Sequence, residues 1–170
     1  QHRRDNKWSL TTNAGYLTIT TQLADVYQTD NNPVNLFMHN IKYKNFQVTT
    51  HVQIQPEQDF EQAGLLLGQD LDNYVRLARV HAYENQAIEP AIETSATYTP
   101  WIENIDNITS VYLRLQKLDN QVSFYYSVDG QEWIEIGNRS YVSWDETNLY
   151  VYAVSPVSGR EIPAMFDFVE

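Results

Sequence analysis

The side chains able to do chemistry fall into short acidic clusters and scattered histidines. Glu57, Asp59 and Glu61 form one cluster, Asp70 and Asp72 a second, Asp129 and Glu132 a third. Two carboxylates facing each other across a cleft could cleave a glycosidic bond, one as acid and the other as base or nucleophile. Each cluster, however, sits in a stretch that reads as a turn, where Asp and Asn bond their own backbone and reverse the chain. In "AGLLLGQDLDNYVRLARV" (63–80), Asp70 and Asp72 are expected to join two strands. His2, His39, His51 and His81 are far apart, with no two at metal-ligand spacing, which argues against zinc or a nucleophilic triad. Phosphate-loop, dinucleotide and nucleophile-elbow motifs are absent. "DLDN" (70–73) lacks the glycine and distal glutamate of an EF-hand loop. No catalytic set emerges.

The composition narrows the partners. At 170 residues the chain fits one domain, 1–170, with enough length for a real core. It has no cysteine, which excludes disulfides, zinc-thiolate sites and thiol catalysis. A formal net charge of −11, from 22 acidic against 11 basic residues, repels phosphate backbones, so no nucleic-acid partner is expected. No apolar run approaches the roughly 18 residues of a membrane span, so no membrane partner is expected either. The opening "QHRRDNKW" is polar and does not read as a signal peptide.

Period-two patterns dominate and place the rest. In "FQVTTHVQI" (46–54), Phe46, Val48, Thr50, Val52 and Ile54 share one face, and Gln47, Thr49, His51 and Gln53 the other. "VYLRLQKL" puts Val111, Leu113 and Leu115 inward and Tyr112, Arg114 and Gln116 outward. Val122, Phe124, Tyr126 and Val128 share a face before Asp129-Gly130, a hairpin signal. With a second turn at 118–121, residues 111–136 read as a three-strand meander. Further strands are expected at 16–21, 35–39, 64–69, 73–84, 148–154 and 164–169, with short helical turns near 57–62 and 103–107. Many short strands with turns between them predict an all-β fold, a two-sheet antiparallel sandwich.

Aromatic residues make up 13% of the chain, 12 of them tyrosine, beside few lysines. Aromatic rings stack on the apolar faces of sugars, while amides and guanidinium groups bond hydroxyls. The candidate carbohydrate contacts are therefore Tyr74 and Arg76 on one strand face, Tyr112, Arg114 and Tyr125 on the meander, and Tyr150 and Tyr152 in "NLYVYAV". Trp101 in "YTPWIEN" is a candidate loop platform beside Tyr98, and Gln69 a hydroxyl-binding amide. Arg79, His81 and Tyr83 could share the face opposite Tyr74. Trp8 and Trp133, both beside apolar partners, are expected in the core. Asp167, between Phe166 and Phe168, is expected to face away from both rings, toward solvent, an arginine or a cation.

These residues carry a resemblance. "QAGLLLGQDLDNYVRLARV", "SVYLRLQKLDNQVSFYYSVDGQEWIEIG" and the closing "PAMFDFVE" resemble the concanavalin A-like β-sandwich domain of bacterial glycan-degrading enzymes, best known C-terminal to family 43 β-xylosidases and arabinofuranosidases. The opening "WSLTTNAGYLTITT" fits the first strands of that family, and the likeness covers about residues 8–170. It implies a concanavalin A/laminin-G-like jelly roll without catalytic residues, excised from a larger modular protein. Such domains pack against a catalytic propeller or occur as carbohydrate-binding modules. The resemblance thus implies a secreted or cell-surface bacterial domain that binds xylan or another plant β-glycan, as polysaccharide or oligosaccharide. It implies as an alternative a domain that braces an adjacent catalytic domain, and, less in keeping with the residues, a stand-alone sandwich glycosidase. No cofactor is required, but a structural Ca2+ at Asp167 is implied by related lectin-like sandwiches.

Overall fold

A computed structural model of the chain describes residues 3–144 and 146–170, so His2 lies outside the described residues. In chain order the strands are β1 (Trp8–Ser9), β2 (Leu17–Thr20), β3 (Val26–Tyr27), β4 (Asp30–Asn31), β5 (Phe37–Ile41), β6 (Phe46–Gln53), β7 (Gln62–Gly68) and β8 (Asn73–Ala82). They continue as β9 (Asn85–Thr94), β10 (Thr97–Pro100), β11 (Glu103–Asn104), β12 (Ser110–Leu118), β13 (Gln121–Ser127), β14 (Ile134–Tyr141), β15 (Thr147–Val154) and β16 (Pro163–Val169). The one helical element among the described residues is a 3-10 turn at Asp5–Lys7. None is long and apolar enough to cross a membrane. The helical turns expected at 57–62 and 103–107 do not form: the first is an irregular turn, and the second opens as β11, which pairs with β9.

The strands build two antiparallel sheets. The first has the order β1-β2-β16-β6-β12-β13-β14, the second β10-β9-β8-β7-β15-β5, and β3-β4 form a separate hairpin. Between the sheets lies one apolar core, to which the first contributes Val48, Val52, Leu113, Leu115, Phe124 and Phe166 and the second Leu65, Leu67, Val75, Leu77 and Ile88. Alternation along each strand puts every second residue on an outer face, and the two outer faces point in opposite directions.

The outer faces differ. That of the first sheet is open. That of the second is partly roofed by residues 24–36, whose Ala24, Val26, Val34 and Leu36 pack on Leu66, Tyr74, Ala78, Tyr150, Tyr152 and Val154. This double coverage explains why every residue of β7 is buried, including both parities of "QAGLLLG". Asp70 and Asp72 turn the chain as expected: Asp70 Oδ1 accepts from the Asp72 backbone N–H at 2.9 Å and from Asn73 Nδ2 at 2.9 Å.

Candidate functional site

The outer face of the second sheet holds a polar cluster set on small residues. On β8 and β9, Arg76, Ala78, Glu89, Ala91 and Glu93 share that face with Tyr74, because Tyr74 is paired with Glu93 and Arg76 with Ala91. β10 adds Tyr98, paired with Glu93. The Arg76 guanidinium donates to the Glu89 carboxylate and to the Tyr98 hydroxyl, which in turn donates to Glu89. Arg76 Nη1 also donates to the Val26 carbonyl at 3.1 Å. Both charged side chains are only 3% exposed. The Tyr74 hydroxyl lies 2.7 Å from the Val26 carbonyl and 3.0 Å from Glu93 Oε2, and the Tyr152 hydroxyl donates to Gln62 Oε1 at 2.7 Å. Burial holds the phenols of Tyr74, Tyr98 and Tyr152 well above the ordinary tyrosine value, so they stay neutral donors.

Beside the roof this cluster opens into a cup of about 300 Å³ lined by Asp25, Tyr27, Phe60, Gln62, Arg76, Tyr83, Glu89, Tyr98 and Pro100. Two edge-to-face aromatic pairs line it: Tyr27 with Tyr98 at 5.1 Å and Phe60 with Tyr83 at 5.6 Å. Asp25 stands beside Arg76, and burial raises its pKa above the ordinary aspartate value, with Arg76 pulling the other way. A raised folded-state pKa means that the folded chain holds the proton more tightly than the unfolded one. Ionised Asp25 therefore costs stability above the unfolded value of about 3.9, and the cost is absent below it. Asp25→Asn is expected to stabilise the chain at pH 7, with the gain fading as the pH falls through the ordinary carboxylate range. Urea midpoints at pH 3 and pH 7 check this.

Several sequence-predicted residues take other places. Tyr74, Arg76, Tyr150 and Tyr152 do share a face, but they are buried rather than presented to solvent, because residues 24–36 cover them. Of these four only Arg76 lines the cup. Arg79 points to the inner side and is buried, donating to the carbonyls of Val80, Ala87 and Ile108; burial pulls its pKa down to about 10. His81 lies 2.9 Å from Asp59. Tyr83 does not join them, since the turn after β8 carries it into the cup lining. Trp101 is half-buried, its Cβ 3.5 Å from where a Cβ on Gly137 of β14 would lie, and Gln69 is exposed in the β7–β8 turn; neither lines the cup.

Tyr112, Arg114 and Tyr125 come together on the outer face of the first sheet, opposite the cup. Their flat groups stack on neighbours: Tyr112 on His51 at 4.2 Å and 16°, and Arg114 over the Trp133 ring at 3.4 Å. Trp133 is thus not in the core, as its sequence neighbours suggested, but half-buried beneath a guanidinium. Asp167 is exposed and lies 3.8 Å from His51. A β-bulge between Phe166 and Val169 breaks the alternation there, so that Phe168 approaches Tyr112 on the outer face at 6.3 Å. Among the described residues no three His, Asp or Glu side chains gather as metal ligands. Calcium takes about six to eight oxygen ligands, so an ion at Asp167 would need ligands beyond these side chains.

Glu89 and Glu93, with Asp25, Tyr27, Phe60 and Gln62, are the residues in or beside the cup that sequence reasoning missed, and Tyr83 was expected only on the face opposite Tyr74. The signal for the first two was present: in "AIEPAIET" Ile88 and Ile92 alternate with Glu89 and Glu93.

A family model described as beta xylosidase C-terminal concanavalin A-like domain matches residues 1–170. Comparison with curated proteins finds no match. Among solved structures, the GH43 BlXynB protein from Bacillus licheniformis superposes with a TM-score of 0.88 at 20% identity, over 99% of this chain and 35% of that one. The xylan beta-1,4-xylosidase from Bacillus halodurans gives 0.85 at 18% identity, over 98% and 34%. The catalytic domain of an endo-1,3-beta-glucanase (laminarinase) from Thermotoga petrophila gives 0.65 at 10% identity, over 98% and 79%. The chain spans about a third of the length of the two Bacillus proteins. At these identities the likeness is one of fold.

Proposed function

The chain belongs to the family of beta xylosidase C-terminal concanavalin A-like domains, and from that premise we propose that it is a non-catalytic accessory domain that holds xylan or another plant β-glycan for an adjacent family 43 catalytic domain in an exported bacterial enzyme. The observation that carries glycan binding is the cup on the second sheet, where four aromatic rings surround Asp25, Gln62 and Arg76. Rings of this kind stack on sugar CH faces, while the polar groups bond hydroxyls. The same geometry speaks against hydrolysis. Glycosidases need two carboxyls free to act on the substrate, and of the two acids lining the cup Glu89 is committed to Arg76 and Tyr98.

Calorimetry of the chain against fragments of xylan, glucan, mannan and pectin tests the reading. Binding to at least one is expected, without release of reducing sugar. Tyr83→Ala should weaken that binding about tenfold, the equivalent of about 1.4 kcal/mol for one lost aromatic contact. Tyr141→Ala, an equally exposed ring on β14 outside the cup, should leave it unchanged. No binding by any fragment would remove the glycan role.

A bracing role alone is favoured by a different observation. An apolar groove of about 770 Å³, lined by Leu17, Phe37, Met38, Phe46 and Val151 among others, stays open between the sheets. If the domain only braces, deleting it from the full-length enzyme would lower activity while the isolated chain bound no glycan.

A further inference from the structure

Resting on the glycan-binding reading, we infer that the cup takes a single neutral sugar ring end-on, so that the chain recognises the terminal or side-chain units of a glycan and not its interior. Three observations carry this. The first is enclosure: residues 24–36 lie across the face of β7, β8 and β15, so on that side the cup does not continue along the sheet as a cleft for a polymer. Its volume of about 300 Å³ sits at the lower end of small-ligand pockets, room for one ring with a few waters.

The second is the construction of the rim. Phe60 and Tyr83 are held at φ +68° and +51°, and Gln28, next to Tyr27, at +51°. Bulky side chains rarely adopt this left-handed region, and such strain persists only where the surroundings fix it, commonly at binding sites. Here it sets the edge-to-face Phe60–Tyr83 pair at the mouth.

The third is the polar lining. Arg76 is held by Glu89, Tyr98 and the Val26 carbonyl, and its unpartnered Nε is sealed from solvent, so the guanidinium acts on a ligand in the cup through its charge. Asp25 supplies an acceptor, while the Gln62 amide is already engaged, its Oε1 by the Tyr152 hydroxyl and its Nε2 by the Phe60 carbonyl. With Asp25 and Glu89 set against Arg76, the lining carries a formal excess of one negative charge, which disfavours uronic acids.

The test titrates the chain with methyl glycosides of xylose, arabinose, glucose, mannose and galactose and with galacturonic acid. The preferred sugar is then taken as oligosaccharides of two to six units. The expected result is binding of at least one neutral glycoside, at least tenfold weaker binding of galacturonic acid, and less than a threefold change in Kd from two to six units. Tyr27→Ala, with an unchanged circular dichroism spectrum, should weaken binding of the single glycoside at least tenfold. A Kd that tightens more than tenfold with length would overturn end-on recognition and leave glycan binding standing. No binding at any length would overturn both.

Discussion

Glu89→Ala is expected to destabilise the chain by about 3–5 kcal/mol, because it leaves the Arg76 guanidinium charged and buried without its carboxylate. Both partners are 3% exposed, so water from the cup replaces the lost interaction only in part. The remaining partners of Arg76 are the Tyr98 hydroxyl and the Val26 carbonyl, and removing Glu89 also strips Tyr98 of its acceptor. Against a total stability of about 5–15 kcal/mol for a typical domain, this is a large fraction. The double replacement Arg76→Met with Glu89→Leu removes both charges and fills the space, so it should recover most of the loss. Urea unfolding of the three proteins checks the prediction. A loss below about 1 kcal/mol for Glu89→Ala would mean that the pair is hydrated and the cluster looser than described.

The second large effect is expected at Gly64, in the "AGLLLG" stretch. A Cβ built there would collide with the Leu77 carbonyl oxygen and lie 2.8 Å from the Ala78 Cα on the neighbouring strand. Both are backbone atoms, and β8 cannot withdraw because β9 pairs with it along its whole length. Gly64→Ala should therefore cost more than the roughly 1–3 kcal/mol usual for an overpacked core and open the β7–β8 ladder. Gly159→Ala is the comparison: its φ is +75° but nothing lies within 4 Å, so only backbone strain of about 1–2 kcal/mol is expected. Amide hydrogen exchange across β7 and β8 would show whether the ladder opens at Gly64.

Alternation made β6, β12 and β13 legible, because each has one apolar face in the core and one largely polar face turned outward, most of it half-buried. β9 was hidden by Pro90 in its middle. The proline is tolerated because its carbonyl accepts from the Trp101 N–H at 2.8 Å, so its nitrogen faces the same edge, in the gap between β10 and β11 where no ladder bond is needed. With β9 unread, the carboxylates that share a face with Arg76 went unread too.

The roof was illegible for a different reason. "ADVYQTDNNPVNL" (24–36) has no hydrophobic period, so nothing in it signals that it covers Tyr74 and Tyr152. An outer sheet face and a second buried face read alike when the covering element is irregular. Local breaks in alternation defeated the rest: the bulge moves Phe168 to the outer face, and the turn at Tyr83 and Glu84, both at positive φ without glycine, returns Tyr83 to the cup.

The central claim is that the cup holds a sugar. Its most direct test is a chemical-shift titration of the isotopically labelled chain with the bound glycoside or a xylan-derived oligosaccharide, following the Arg76 Nε–H and the rings of Tyr27, Phe60, Tyr83 and Tyr98. The account predicts that these signals move together and saturate while those of Tyr112, Tyr125 and Trp133 on the opposite face stay still. Saturable shifts confined to the first sheet or to the apolar groove, or no shifts at all, would contradict it.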